Sequence, residues 1–234
     1  ELVARAIGLS RYQRFDPKLK TFCDEHQPQL LAVNLSALSS TLIESELFGH
    51  CKGAFTGAVS DRQGWLEVCG EHGAVFLDEI GELEQSIQVK LLRVLQTQQF
   101  SRVGETKSRK FEGKFIAATN RELELEIQSG RFREDLYYRL CQFTVHIPPL
   151  RERTDDIPLL AQYLLRKHCD RFGTSVPALT DACIARLLAY DWPGNVRELD
   201  ALMGRVALYG SCEAVAAVTD FPPTTRKPAA EPAE

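Results

Sequence analysis

The sequence predicts an α/β layered domain with a mainly parallel sheet, followed by an α-helical subdomain. Three observations carry this. Short apolar runs ending in polar residues recur at Leu30–Asn34, Ala74–Glu79 and Phe115–Asn120, as in buried strands. Segments of helical spacing separate them, the alternation that builds parallel sheets. From Asp155 onward the pattern is helical only.

Each element follows in order. Leu2, Val3, Ala6 and Ile7 fall at helical spacing and predict an amphipathic helix. Ser10 to Gln29 is polar and irregular and reads as a long surface connection. Leu30–Asn34 is the first strand, and Thr41–Phe48 reads as a helix. Gly49–Gly64 is punctuated by glycine, Trp65–Cys69 is a short helix, and Gly70–Gly73 is a turn. Ala74–Leu77 is the second strand, ending in Asp78-Glu79. Ile87, Val89, Leu91, Leu92, Val94 and Leu95 mark a helix. Phe115–Ala118 is the third strand and Phe143–Ile147 a fourth. Helices are predicted at Ile157–Phe172, Thr180–Ala189 and Asn195–Leu208. The pattern divides the chain into an α/β part over 1–150, a helical part over 151–210 and a Pro-rich flexible tail over 211–234.

Composition narrows the function. The 234 residues are 44% hydrophobic, too apolar for disorder over most of the chain. No window approaches the ~18 apolar residues of a membrane span, and no secretory signal opens the chain. A net charge of -4 argues against gripping nucleic acid by bulk charge. Seven cysteines, an odd number without CxxC spacing, suit reduced thiols in a cytoplasmic protein. The five histidines form no HxxxH or HExxH pattern, so no metal site is assigned to them.

The strongest chemical feature is the strand ending in Asp78-Glu79. Ligands of open α/β sheets sit at the carboxyl ends of the strands. A carboxylate pair there suits nucleotide hydrolysis, Asp78 holding Mg²⁺ and Glu79 polarising the attacking water. A solvated acidic turn is the alternative. Asn34 and Thr119-Asn120 end the other two strands; together the three ends form one polar cluster, or each Asn is a turn residue. Gly53-Ala54-Phe55-Thr56-Gly57-Ala58 either presents Phe55 and Thr56 on a contact tip or folds Phe55 back into the core.

Several ordered motifs resemble those of the sigma-54-dependent transcriptional activators, the bacterial enhancer-binding proteins of the AAA+ class. They are Glu44–His50 leading into Gly49–Ala58, Gly73–Gly81, Val89–Gln96, Ala117–Asn120, Phe132–Leu140, Pro148–Arg153 and Trp192–Leu199, and the resemblance spans roughly 1–210. It implies an AAA+ P-loop NTPase-type domain with a helical lid. It also implies an ATPase that uses ATP and Mg²⁺, working as a homo-oligomer, a hexameric ring. Asp78 and Glu79 resemble the Walker B pair, Asp78 as the metal ligand and both as ATP-binding groups. Asn34 resembles the switch residue that restrains Glu79, and Thr119-Asn120 resemble sensor I. Arg133 and Arg139 resemble arginine fingers acting on a neighbour's nucleotide; without the motif they read as surface ion pairs. Arg197 resembles the sensor II arginine that contacts ATP; otherwise it pairs with Glu198 or Asp200. Gly53, Ala54, Phe55, Thr56, Gly57 and Ala58 resemble the loop that touches sigma-54 bound to RNA polymerase, so that hydrolysis remodels the closed promoter complex and activates transcription. The basic segment near Val103–Phe111, with Lys107, Arg109 and Lys110, either supports that loop near promoter DNA or is a solvated hairpin.

Three departures stand out. The family's Walker A loop precedes a helix that Glu1–Ile7 resembles, so the sequence is expected to begin partway into a longer protein, just after that loop. A polypeptide lacking the loop is expected to bind ATP poorly, and a non-hydrolysing module that binds sigma-54 or sibling subunits is the alternative function. Leu35-Ser36 stands where the family more often has Cys-Ala, with no expected consequence for the catalytic residues. No helix-turn-helix follows the helical part, so contact with promoter DNA is indirect and DNA recognition is not assigned to this chain.

Overall fold

The computed structural model describes residues 2–8, 14–16, 21–23, 29–70 and 73–211. It divides into two compact units, 1–144 and 145–234. The predicted tail lies, apart from Ser211, outside the described residues, as does much of the 10–29 connection.

The first unit opens with α1 (Leu2–Gly8). The predicted helix forms, but Ala4 is buried while Val3 and Ile7 are 39% and 40% exposed, so the buried stripe is not the one the spacing of Val3 and Ile7 suggests. The 10–29 connection contains an antiparallel pair, β1 (Arg14–Asp16) with β2 (Thr21–Cys23), where an irregular segment is expected. Three-residue strands are too short to show period-two alternation.

The sheet that matters is β3 (Leu30–Asn34), β6 (Ala74–Asp78) and β9 (Lys114–Ala118), all parallel with β6 in the centre. Ala74 to Leu77 are at most 3% exposed, which is why this strand is an unbroken apolar run: a central strand buries both faces. Between β3 and β6 lie α2 (Ser40–Phe48), the antiparallel pair β4 (Gly49–His50) and β5 (Arg62–Gln63), and α3 (Trp65–Val68). The helix α4 (Gln85–Thr97) follows β6 and buries Ile87, Leu91, Leu92 and Val94. The hairpin β7 (Gln99–Phe100) with β8 (Arg109–Lys110) precedes β9.

Two helices follow β9, α5 (Leu123–Gln128) and α6 (Glu134–Leu140), where the sequence pattern shows none. Both are two turns or less, too short for an apolar stripe, and are held by Leu123, Phe132 and Leu136 in the core. The predicted strand at Phe143–Ile147 does not form. Phe143, Val145 and Ile147 alternate as strand residues do, but they are 94%, 61% and 52% exposed. Alternation alone makes no strand; a neighbouring edge must accept its hydrogen bonds, and no described strand pairs with this one.

The second unit is helical: α7 (Asp156–Phe172), α8 (Asp181–Ala189) and α9 (Asn195–Tyr209). Its core centres on Trp192, which is fully buried and whose indole N–H donates to the Leu187 carbonyl at 2.8 Å. Asn195 Oδ1 accepts the Leu150 amide at 2.8 Å, and the Glu198 carboxylate accepts the Gly194 amide at 2.9 Å and the Tyr190 hydroxyl at 3.0 Å. The Trp-Pro-Gly-Asn turn therefore ties α8, α9 and the start of the unit together. Trp192→Ala is expected to destabilise this unit by about 3–5 kcal/mol, the range for emptying a core aromatic site. Urea unfolding followed by far-UV circular dichroism measures it, and an unchanged midpoint contradicts it.

Candidate functional site

The parallel register sets Asn34 beside Asp78 and Asp78 beside Ala118. Three strand ends thus finish in one row, and Glu79, Thr119 and Asn120 leave the sheet along the same edge. The apolar run of β6 stops at Asp78 because an unpaired carboxylate resists burial. Asp78 and Glu79 are half-buried. Glu79 has φ 59°, a left-handed conformation that a non-glycine residue adopts at a cost. That conformation turns its carboxylate to accept the Asn120 main-chain N–H at 3.3 Å. Thr119 Oγ1 accepts the Arg121 amide at 3.1 Å. Beneath it runs the tight turn Ile80–Glu82, where a Cβ on Gly81 would lie 3.2 Å from both Thr119 Oγ1 and Arg121 Cδ.

Asn34 is in this row but is engaged elsewhere. Its Oδ1 accepts the Ser36 amide at 3.0 Å and the Ser36 hydroxyl at 2.7 Å, capping the turn Leu35–Ala37. The Leu35-Ser36 departure therefore does reach the candidate catalytic residues: alanine at position 36 would have no hydroxyl to give. The hydrogen bond on Glu79 comes from Asn120.

The two candidate finger arginines flank and occupy α6, Arg133 just before its first residue and Arg139 in its last turn. The Arg133 side chain forms a two-pronged pair with Asp135, Nε to Oδ1 at 3.0 Å and an η nitrogen to Oδ2 at 2.6 Å. That contact lowers Asp135 from the ordinary carboxylate range and raises Arg133. Arg139, in the last turn, is exposed and pairs with no described residue. Neither arginine bonds Asp78, Glu79, Asn34, Thr119 or Asn120. In the second unit Arg197 is exposed and unpaired among the described residues. Both carboxylates that could neutralise it are taken, Glu198 as above and Asp200 by His168 Nε2 at 3.1 Å.

The glycine-rich loop springs from β4 and β5. Gly53 and Gly57 have φ 81° and 102°, and open space surrounds the place of a Cβ at each, so glycine is needed for backbone conformation and not for room. The Gly53 amide donates to the Ala58 carbonyl at 2.8 Å and closes the tip. Phe55 takes a middle course between the two expectations. It is half-buried, edge-on to His50 with centroids 5.0 Å apart, while Thr56 is exposed. His50 is itself buried and meets Ser45 Oγ at 2.7 Å through Nδ1.

The β7–β8 hairpin braces this loop. The Cys51 amide donates to the Val103 carbonyl at 3.0 Å, and a Cβ on Gly104 would meet the Ala54 Cβ at 2.8 Å. Arg102 grips Glu67 with bonds of 2.9 and 2.7 Å, which lowers Glu67 below the usual carboxylate range and raises Arg102. The basic segment is thus a hairpin whose charges are largely met within the unit: Arg109 by Glu105 at 2.5 Å, Lys110 by Glu112 at 2.5 Å.

Residues 14–146 match the family described as the sigma-54 interaction domain, and 151–234 match the AAA+ ATPase lid domain. The chain belongs to the sigma-54 interaction domain family. It is 51% identical over 183 residues to the Nif-specific regulatory protein of Azotobacter vinelandii, covering 78% of this chain and 34% of that protein. It is 46% identical over 208 residues to the anaerobic nitric oxide reductase transcription regulator NorR of Salmonella paratyphi C, covering 89% and 38%. The crystal structure of NtrX from Brucella abortus in complex with ADP superposes with a TM-score of 0.73 at 31% identity, over 85% of this chain and 45% of that one; the ATP complex gives 0.72. The chain spans about a third of the length of the curated relatives it matches. The fold is thus the AAA+ P-loop type with a parallel sheet and a helical lid, and NtrX holds ADP or ATP in the structures named.

Among the described residues, no three His, Cys, Asp or Glu side chains converge as a metal cage. One half-buried carboxylate, Asp78, nevertheless fits Mg²⁺. That ion keeps several waters and takes other ligands from phosphate oxygens instead of a cage of protein ligands. Two residues of this sigma-54 interaction domain escaped sequence reasoning. Ser36 carries a signal that could have found it, a hydroxyl two positions after an Asn. Gln88 is fully buried on the apolar face of α4, where a polar side chain between Ile87 and Leu91 asks for partners.

Proposed function

We propose that this chain is the ATP-hydrolysing core of a sigma-54-dependent transcription activator. The observation that carries the reading is the row of strand ends, with Glu79 held in a left-handed conformation beside Asp78 and fastened to Asn120. In this reading Asp78 holds Mg²⁺, which neutralises phosphate charge when bound. Glu79 orients and polarises the attacking water, a job done by a carboxylate within reach of the γ-phosphate. Thr119 and Asn120 sense that phosphate. Because the Asn120 amide is fastened to Glu79, a shift of the sensor loop moves the catalytic carboxylate with it.

Asn34 is the switch residue, Arg197 the lid's cation for ATP, and Arg133 and Arg139 the groups offered to a neighbouring subunit in a homo-hexameric cytoplasmic ring. The loop 53–58 contacts sigma-54 on RNA polymerase, with Thr56 at the exposed tip and Phe55 seated on His50. Movement of this loop during hydrolysis drives closed promoter complexes open, and promoter DNA is recognised by other segments. Fixed, largely neutralised basic groups on the β7–β8 hairpin suit bracing better than gripping DNA.

The test is made in the natural polypeptide, with the segments that flank these residues. Thr56→Ala is expected to abolish open-complex formation on a sigma-54 promoter while leaving ATP turnover within about twofold, since the loop tip touches no residue of the strand-end row. Normal open-complex formation by this variant overturns the loop assignment. Loss of ATP turnover overturns the separation of motor from tip.

A further inference from the structure

Gln88 joins the catalytic segment to Arg133. Its carboxamide is fully buried on α4 and every hydrogen-bonding position in use is directed at a main-chain group. Nε2 donates to the Leu83 carbonyl at 2.7 Å and to the Arg131 carbonyl at 2.9 Å. Oε1 accepts the Arg133 amide at 2.8 Å. Leu83 closes the turn that begins at Glu79, and Arg133 immediately precedes α6. One side chain therefore spans from the segment just after the candidate catalytic carboxylate to the residue whose guanidinium is the candidate finger.

The surroundings leave this clip with a defined task. Phe132 is buried and Leu136 fully so, which anchors the start of α6 in the core without setting where Arg133 projects. Gln85 adds a second hold, Nε2 to the Gly130 carbonyl at 2.6 Å. The Glu126 carboxylate, on α5, binds Arg131 at 2.6 and 3.1 Å and reaches Arg121 at 3.5 Å. The turn over 129–133 is thus pinned from α4 and α5 while the Arg133 guanidinium stays exposed. A buried amide bonded at both ends fixes geometry, because leaving any of these groups unpaired in the core is costly.

We propose that Gln88 is a positioning residue that sets the Arg133 finger relative to the Glu79–Leu83 segment of its own subunit. Arg133 is thereby presented to the neighbouring subunit's nucleotide in a fixed orientation. This rests on the reading of Arg133 as a finger acting between subunits. A finger misplaced by about 1 Å loses on the order of 10²-fold in rate.

The variants are Gln88→Met, of similar volume, and the gentler Gln88→Asn, which keeps the amide but is one methylene too short to span both carbonyls. Either that folds suffices. In the natural polypeptide, kcat for ATP is expected to fall roughly 10–100-fold with KM within about threefold. The double variant with Arg133→Ala is expected to be no slower than Arg133→Ala alone. Mixed rings with Glu79→Ala subunits, which have an intact finger and a dead site, are expected to regain turnover, because the Gln88 variant keeps its own site. A merely structural lesion would give neither result. Unchanged kcat, a multiplicative loss in the double variant, or no recovery in mixed rings overturns the positioning role. If Arg133→Ala alone keeps full turnover, the finger reading fails and takes this proposal with it. If Arg133→Ala loses turnover and the Gln88 variants do not, only the positioning role fails.

Discussion

Arg133→Ala is expected to slow ATP turnover by about 10³–10⁵-fold, the range for removing an arginine finger. The side chain is exposed and its partner, Asp135, lies two residues away on the same helix start. Exposed pairs of this kind contribute little to stability and exchange readily. The guanidinium can therefore leave Asp135 for a phosphate whose charge is larger and whose oxygens match the same planar fork. The main chain of Arg133 is held by Gln88 and its neighbours are core anchors, so truncation beyond Cβ leaves the fold in place. The measurement is single-turnover hydrolysis at saturating ATP, with nucleotide affinity and oligomeric state checked in parallel. Turnover within about tenfold of the parent would remove Arg133 from the machinery.

Glu79→Gln is expected to lower kcat by about 10²–10⁴-fold, the contribution of a positioned general base, while nucleotide binding persists. Gln is the informative replacement. It keeps an oxygen that can accept the Asn120 amide, and so preserves the hydrogen bond at 3.3 Å while removing the basicity. Alanine at φ 59° would remove both at once and retain the backbone strain. Equal losses of kcat and of nucleotide affinity would place Glu79 in binding, not in the chemical step.

The parts of the molecule with strong local signals were legible in the sequence. The run Ala74–Leu77 reads as a buried strand, and the structure makes it the central strand, with its final carboxylates at the sheet's carboxyl edge. Which polar ends meet there was predictable as a group, but the register pairing Asn34 with Asp78 depends on the sheet itself. What stayed hidden depends on partners distant in the chain. Phe143–Ile147 alternates perfectly and forms no strand, because alternation describes a side-chain pattern and not the presence of an edge. The helices α5 and α6 are too short to carry a periodic signal. Asn34 is the subtlest case: the resemblance implied a restraint on Glu79, while its Oδ1 accepts the amide and hydroxyl of Ser36, two positions on, a local bond that its residue type alone allowed. For Arg197 it is the alternative, an ion pair with a neighbouring carboxylate, that does not form. The acidic neighbours that looked able to neutralise it are committed to Gly194, Tyr190 and His168.

The hold on Glu79 has a consequence for how such a protein drifts over generations. Its donor at position 120 is a peptide N–H, common to every amino acid except proline. Eighteen other side chains could be written there by mutation without removing that N–H, whereas the carboxylate it grips has almost no substitutes. The side chain proposed to sense phosphate can therefore vary while the tether to the proposed catalytic carboxylate is inherited unchanged.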